Sequence, residues 1–194
     1  EGLMFARNIL LGFLPSAVIG FTLYENFEAM LGNPGIVPWA LIAGGIAIIV
    51  IERLAKPRED GQGVADLSLT KVLAVGFAQC LAMVPGVSRS GATIMGALAM
   101  GINRKTAAEF SFFLAVPTMV GATTLEVATK YDAMMAGSTR VGWDHIALGF
   151  VVSFIVALVV IRAFVAYVSH SGFTPFAWYR IIAGSAALAW LTFA

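Results

Sequence analysis

Apolar residues run through this chain in long blocks rather than alternating with polar ones. Stretches free of Asp, Glu, Lys and Arg cover 8–24, 29–51, 72–88, 90–103, 110–125, 145–161, 163–179 and 181–194. A helix rising about 1.5 Å per residue needs about 20 residues to cross a hydrocarbon core of about 30 Å. Five segments fit, at about 8–25, 34–54, 106–127, 145–167 and 174–194, with flanking Arg and Lys snorkelling where a run is short. Helix is the only state open to them, because an open strand in lipid leaves backbone groups unpaired. Pro15 and Pro117 fall inside these spans, where neighbouring helices tolerate them. The region 72–103 differs, because Pro85-Gly86-Val87-Ser88-Arg89-Ser90-Gly91 divides it into two short apolar runs. The run from Val72 to Pro85 reaches only about 21 Å as helix. That predicts a re-entrant half-helix, with a second from about Ser90 to Gly101 returning.

Composition agrees with the pattern. Of 194 residues, 59% are hydrophobic and 12% charged, about half the usual charge content. Mean hydropathy is +0.88. Disorder, collagen and a water-soluble globule are excluded. The fold class expected is an all-α polytopic membrane protein with five transmembrane helices plus one re-entrant helical hairpin. One transmembrane domain, 1–194, divides into two spans (1–55), a polar cytoplasmic loop (56–71), the hairpin (72–103) and three spans (104–194). Eight of the 23 charges fall between Glu52 and Lys71. With the first span running outward, Arg7, Arg53, Lys56, Arg58, Lys71, Arg104, Lys105, Arg162 and Arg180 lie on or near the cytoplasmic side, and Lys130 and Arg140 lie outside. This is a strong positive-inside bias.

A net charge of +1 without a clustered basic face predicts no nucleic-acid partner; the bilayer itself is the expected one. Cys80 has no second cysteine to pair with and reads as packing. His145 and His170 stand without ligand spacing, so protein residues alone predict no metal site. Oligomeric state, a homo-oligomer included, is open on sequence.

Arg89 is the one charge in a stretch of more than 30 residues, and a membrane-embedded ionisable group is a functional candidate by default. Ser88, Ser90 and Thr93 surround it, and Gly86 and Gly91 allow close backbone approach. Ser90 is the N-cap candidate of the helix that follows. A guanidinium fork, several hydroxyls and a helix N-terminus at one point make a phosphate site, of the kind built from discontinuous helices in transporters. The alternative is that Pro-Gly turns the chain and Arg89 snorkels to an interface. Gln79 either faces the site or is satisfied by a neighbouring helix. Glu109 either pairs with Arg89 or holds a cation, or it caps the next span near Arg104 and Lys105.

The segment Gln79-Cys80-Leu81-Ala82-Met83-Val84-Pro85-Gly86-Val87-Ser88-Arg89-Ser90-Gly91-Ala92-Thr93, with Glu109-Phe110-Ser111-Phe112-Phe113-Leu114-Ala115-Val116-Pro117 and Phe173-Thr174-Pro175-Phe176-Ala177-Trp178-Tyr179-Arg180, resembles the undecaprenyl-diphosphatase family. These are bacterial integral-membrane phosphatases also known as bacitracin-resistance proteins. The resemblance covers essentially the whole chain. It implies a multi-pass enzyme of the bacterial plasma (inner) membrane that hydrolyses undecaprenyl diphosphate to undecaprenyl phosphate and inorganic phosphate. That step recycles the lipid carrier for peptidoglycan. The family fold is an inverted-topology repeat with two re-entrant hairpins. Carried onto this chain, it makes Arg89, Ser88 and Ser90 the catalytic candidates. Gly86, Gly91, Ala92, Thr93 and Gln79 become candidates for substrate binding. A divalent cation, Mg or Ca, is the implied cofactor.

The family's first motif, Glu-Gly-x-Thr-Glu-Phe-Leu-Pro-x-Ser-Ser-x-Gly-His, is not present. Glu1-Gly2-Leu3 and Phe13-Leu14-Pro15-Ser16 echo only pieces of it. The chain, which begins without Met, is therefore expected to be the larger C-terminal part of such an enzyme. The acidic metal ligands, the base and a candidate nucleophile are expected outside this sequence. A second membrane-phosphatase class, with Ser-Arg-x5-His-x3-Asp, is rejected because Met95 and Ala99 stand at its His and Asp. A polyprenyl-phosphate flippase or transporter using the same anion site is the non-enzymatic alternative.

Overall fold

The computed structural model describes residues 1–56, 62–135 and 142–193. Eight α-helices hold the described residues: α1 (Gly2–Thr22), α2 (Tyr24–Leu31), α3 (Ile36–Leu54), α4 (Leu69–Cys80), α5 (Arg89–Ala99), α6 (Arg104–Met135), α7 (Trp143–Ser171) and α8 (Thr174–Phe193). Five of them, α1, α3, α6, α7 and α8, are long and apolar enough to cross a membrane. They correspond to the five predicted spans, and α1 and α6 continue through Pro15 and Pro117. The all-α polytopic membrane class and the five spans read from the sequence therefore hold. Of the charges used to orient the chain, Arg58, Arg140 and the side chain of Lys130 lie outside what is described.

The broken region forms α4, of 12 residues, a 3-10 turn over Leu81–Met83, and α5, of 11 residues. At about 18 and 16 Å, neither helix matches the thickness of a bilayer. Both sit at the centre of the bundle. α4 packs on α1 and α5, while α5 packs on α3, α4 and α6. The core lies around this pair, with Val72 and Val75 of α4, Ile94, Ala97 and Leu98 of α5, and Phe110 and Leu114 of α6 almost fully buried. The two short helices are thus enclosed by longer ones. By contrast, α7 turns Phe150, Phe154, Leu158 and Val159 outward, as a lipid-facing helix does.

Two polar side chains, one fully buried and one partly so, tie together segments distant in the chain. Asn8 is fully buried and its Nδ2 donates to the carbonyls of Val64, Ala65 and Leu67, at 2.9, 3.3 and 3.2 Å. It pins the end of the polar loop to α1. Glu52, near the end of α3, accepts the Phe173 N–H and the Thr174 hydroxyl, each at 2.7 Å, and faces Arg104 at 3.5 Å. A carboxylate at the N-terminus of α8 also complements its dipole. The end of α3 and the starts of α6 and α8 therefore meet at Glu52. Hydrogen bonds to a charged group are each worth about 1.5–3 kcal/mol, so Glu52→Ala is expected to cost about 2–4 kcal/mol and Glu52→Gln about half of that. Thermal unfolding in detergent checks this, and a shift equivalent to less than about 0.5 kcal/mol would contradict the assignment.

Candidate functional site

The segment joining α4 to α5 is built from its own sequence. The Val87 N–H donates to the Val84 carbonyl at 3.1 Å, with Pro85 and Gly86 between them, and Gly86 has φ +90°. Proline followed by a glycine of positive φ is the residue pair of a type II turn. Ser88 then takes an extended conformation and caps α5, its Oγ accepting the Gly91 N–H at 3.1 Å. Here the structure corrects the sequence, which put the cap at Ser90. The helix begins at Arg89, and the amides of Gly91 and Ala92 are already satisfied by the side chain and carbonyl of Ser88. The amides left at the helix start are those of Arg89 and Ser90.

Beginning the helix at Arg89 divides the predicted residues among three places. Arg89 and Gln79 line a cavity of about 770 Å³, together with Phe13, Ser16, Met83, Thr118 and Glu126. The Arg89 guanidinium is held only by a long hydrogen bond to the Ser111 carbonyl, 3.4 Å, among the described residues. Most of its five N–H donors remain for a ligand. Ser88, Ser90 and Gly91 line a different, smaller cavity of about 200 Å³ beside Phe164, Tyr179 and Arg180, with the two serine hydroxyls 3.2 Å apart. Thr93 reaches neither. It is fully buried, and its hydroxyl lies 2.6 Å from that of Ser111 and donates back toward the Arg89 and Ser90 carbonyls. Thr93 and Ser111 therefore form the support directly behind Arg89.

Gln79 satisfies both readings given to it. Its Nε2 donates to Ser16 Oγ at 2.5 Å and to Thr118 Oγ1 at 3.3 Å. Each of those hydroxyls donates onward to a helix carbonyl, which fixes the amide orientation. Oε1 is left buried without a donor among the described residues, in the wall of Arg89's cavity. Glu109 lies 4.0 Å from Lys105 one turn away, as an interfacial pair would.

No three His, Cys, Asp or Glu side chains come together among the described residues. Hard divalent cations take six or more oxygens, usually with several carboxylates. Around Arg89 the cavity wall offers Glu126, the Gln79 amide oxygen and hydroxyls, beside a guanidinium that repels a cation. These residues do not by themselves fit Mg or Ca.

Arg180 is the functional candidate that sequence reasoning missed, since it counts there only among the residues on or near the cytoplasmic side. It is the seventh residue of α8 and lies beside Gly44, midway along α3, where its Nη2 donates to the carbonyls of Ala40 and Gly86 at 3.2 and 3.1 Å. Those carbonyls allow a guanidinium to stay at that depth. The signal was present, since Arg180 is the single charge between 163 and 194, just as Arg89 is in its own stretch.

Comparisons with known proteins identify the family. The profile of the bacitracin resistance protein BacA family matches residues 1–186. An undecaprenyl-diphosphatase of Novosphingobium aromaticivorans is 64% identical over 189 residues, covering 97% of this chain and 70% of that protein. That of Rhizorhabdus wittichii is 59% identical, covering 96% and 68%, and that of Bordetella pertussis 42%, covering 96% and 69%. With a family match along nearly its whole length and relatives this similar, the chain belongs to the bacitracin resistance protein BacA family.

Proposed function

We propose that this chain hydrolyses undecaprenyl diphosphate to undecaprenyl phosphate and inorganic phosphate in the plasma membrane of a bacterium, recycling the carrier lipid of peptidoglycan synthesis. The observation that carries the reading is Arg89, a nearly unengaged guanidinium at the start of α5, opening into a cavity whose other walls are largely apolar. A lipid diphosphate has that same division of chemistry. The names of the relatives favour hydrolysis over carriage of the lipid.

In this reading α4 and α5 turn back within the bilayer and bring Arg89 to the depth of the lipid headgroup or below. Arg89 binds non-bridging oxygens of the terminal phosphate, and the helix-start amides of Arg89 and Ser90 add positive potential. Water supplies the oxygen that ends on inorganic phosphate, and the bridging P–O bond breaks toward undecaprenyl phosphate. Charge spreads over the phosphate oxygens during transfer, so fixed donors stabilise that state more than the ground state. Ser88 caps α5 and so fixes where the helix that carries Arg89 begins, while Ser90 faces the smaller cavity on the other side of that helix. Thr93, with Ser111, keeps the first turn of α5 rigid. A divalent cation, proposed on family resemblance, would neutralise the diphosphate and would need carboxylates beyond those around Arg89.

Phosphate release from undecaprenyl diphosphate by the intact gene product in detergent micelles is the test. Transport has no meaning without a sealed bilayer, so turnover in micelles establishes hydrolysis, and its absence under otherwise permissive conditions would refute it.

A further inference from the structure

An arginine within a membrane span is costly unless something holds it. Arg180 is held by backbone, and one of the two carbonyls involved belongs to Gly86, at the apex of the turn that presents Arg89. The surrounding sequence makes room for this contact. α8 runs antiparallel against α3, and a Cβ at Gly45 would come within 2.7 Å of the Ala177 carbonyl oxygen and of Ile181. At Gly44 it would overlap the guanidinium itself. Two adjacent glycines thus form a bay in α3 through which Arg180 reaches Ala40 and Gly86.

The carbonyl it reaches is not interchangeable with others. Gly86 has positive φ, and its backbone sits against Val37 and Ala40 of α3. Two residues later Ser88 caps α5, and Arg89 is the first residue of that helix. Arg180 also borders the small cavity lined by Ser88, Ser90 and Gly91. A side chain needed only to fill the α3–α8 seam would do so more cheaply as an apolar residue. We infer that Arg180 is a positioning residue for the anion-binding turn: by holding the Gly86 carbonyl against α3 it sets the direction in which α5, and with it Arg89, enters the large cavity. This rests on the hydrolase reading above.

The test is a kinetic double-mutant cycle between Arg180 and Arg89 in the intact gene product, with Gly44→Ala as an independent perturbation. Arg180→Gln is expected to lower kcat/KM for undecaprenyl diphosphate by about 10- to 100-fold, the usual effect of a misplacement of about 1 Å. Arg180→Lys recovers part of it, because an ammonium can still reach one carbonyl. Gly44→Ala reproduces part of the loss with the charge intact, by displacing the guanidinium. In an Arg89→Ala background, Arg180→Gln adds less than about threefold, because the group it positions is gone. A general packing role would instead lower the unfolding temperature and multiply with Arg89→Ala in full, and that result would overturn the assignment. So would a folded Arg180→Gln protein with unchanged kcat/KM. Calorimetric binding of inorganic diphosphate gives a reading without turnover: weaker binding by Arg180→Gln supports the inference, and equal binding refutes it. An inactive wild-type protein would refute the hydrolase reading separately.

Discussion

Arg89→Ala in the intact gene product is expected to lower kcat/KM for phosphate release from undecaprenyl diphosphate by about 10³-fold or more. Losing one fixed donor to a developing oxyanion costs about 10²–10³. An arginine serving a transferring phosphoryl group contributes about 10³–10⁵. Arg89→Lys should stay within about tenfold of the alanine variant, because a point charge does not reproduce a planar fork across two oxygens. Stability should change little in either variant. Arg89 makes only the 3.4 Å bond to the Ser111 carbonyl among the described residues, and removing a charge from the membrane interior relieves a desolvation cost. Steady-state kinetics in micelles beside thermal unfolding of the same samples separates the two effects. Near-normal phosphate release by the alanine variant would remove Arg89 from the site.

Gly86→Ala is expected to damage stability and activity together. Its φ of +90° is unfavourable for a residue with a Cβ, by about 1–2 kcal/mol. The added carbon would also stand 2.7 Å from the Val37 carbonyl oxygen and 2.8 Å from its Cα. Those neighbours are helix backbone and cannot swing aside, so overpacking adds about 1–3 kcal/mol. A turn that relieves the contact must move away from α3, carrying the Ser88 cap and Arg89 with it. The expected result is a lower unfolding temperature and a fall in kcat/KM of at least about tenfold in the protein that remains folded. Gly149→Ala is the control, because a Cβ there meets nothing within 4 Å. It should be neutral or slightly stabilising, as Ala favours helix over Gly by about 1 kcal/mol. If Gly86→Ala matched this control, the account of the turn would be wrong.

Much of the fold is legible in the chain because a bilayer restricts the alternatives. Once a block of residues is apolar and about 20 long, helix and span follow together, and five such blocks became α1, α3, α6, α7 and α8. The break at Pro85-Gly86 is legible for a local reason, since proline and a positive-φ glycine mark the turn wherever the neighbours lie. Arg89 could be found because charge is rare in these runs. The same argument applies to Arg180, which the topological count used only as a marker of the cytoplasmic side.

What sequence alone determined, then, is the solvent of this protein, its helices, the position of the turn and the arginine beside it. Which way the site residues point was decided by tertiary structure. Each helical residue turns the next by about 100°, so starting α5 at Arg89 rather than after Ser90 redirects every side chain that follows. In so short a helix no periodicity selects between the two starts. The Ser88 cap makes that choice locally, and the helix so begun is held by contacts distant in the chain: Arg180 on Gly86, 94 positions away, and Ser111 against Thr93, 18 away. Arg89 therefore faces the large cavity with Gln79, while Ser88 and Ser90 face the other side with Arg180, and Thr93 is buried between. Local chemistry chose the residues, and long-range packing separated them.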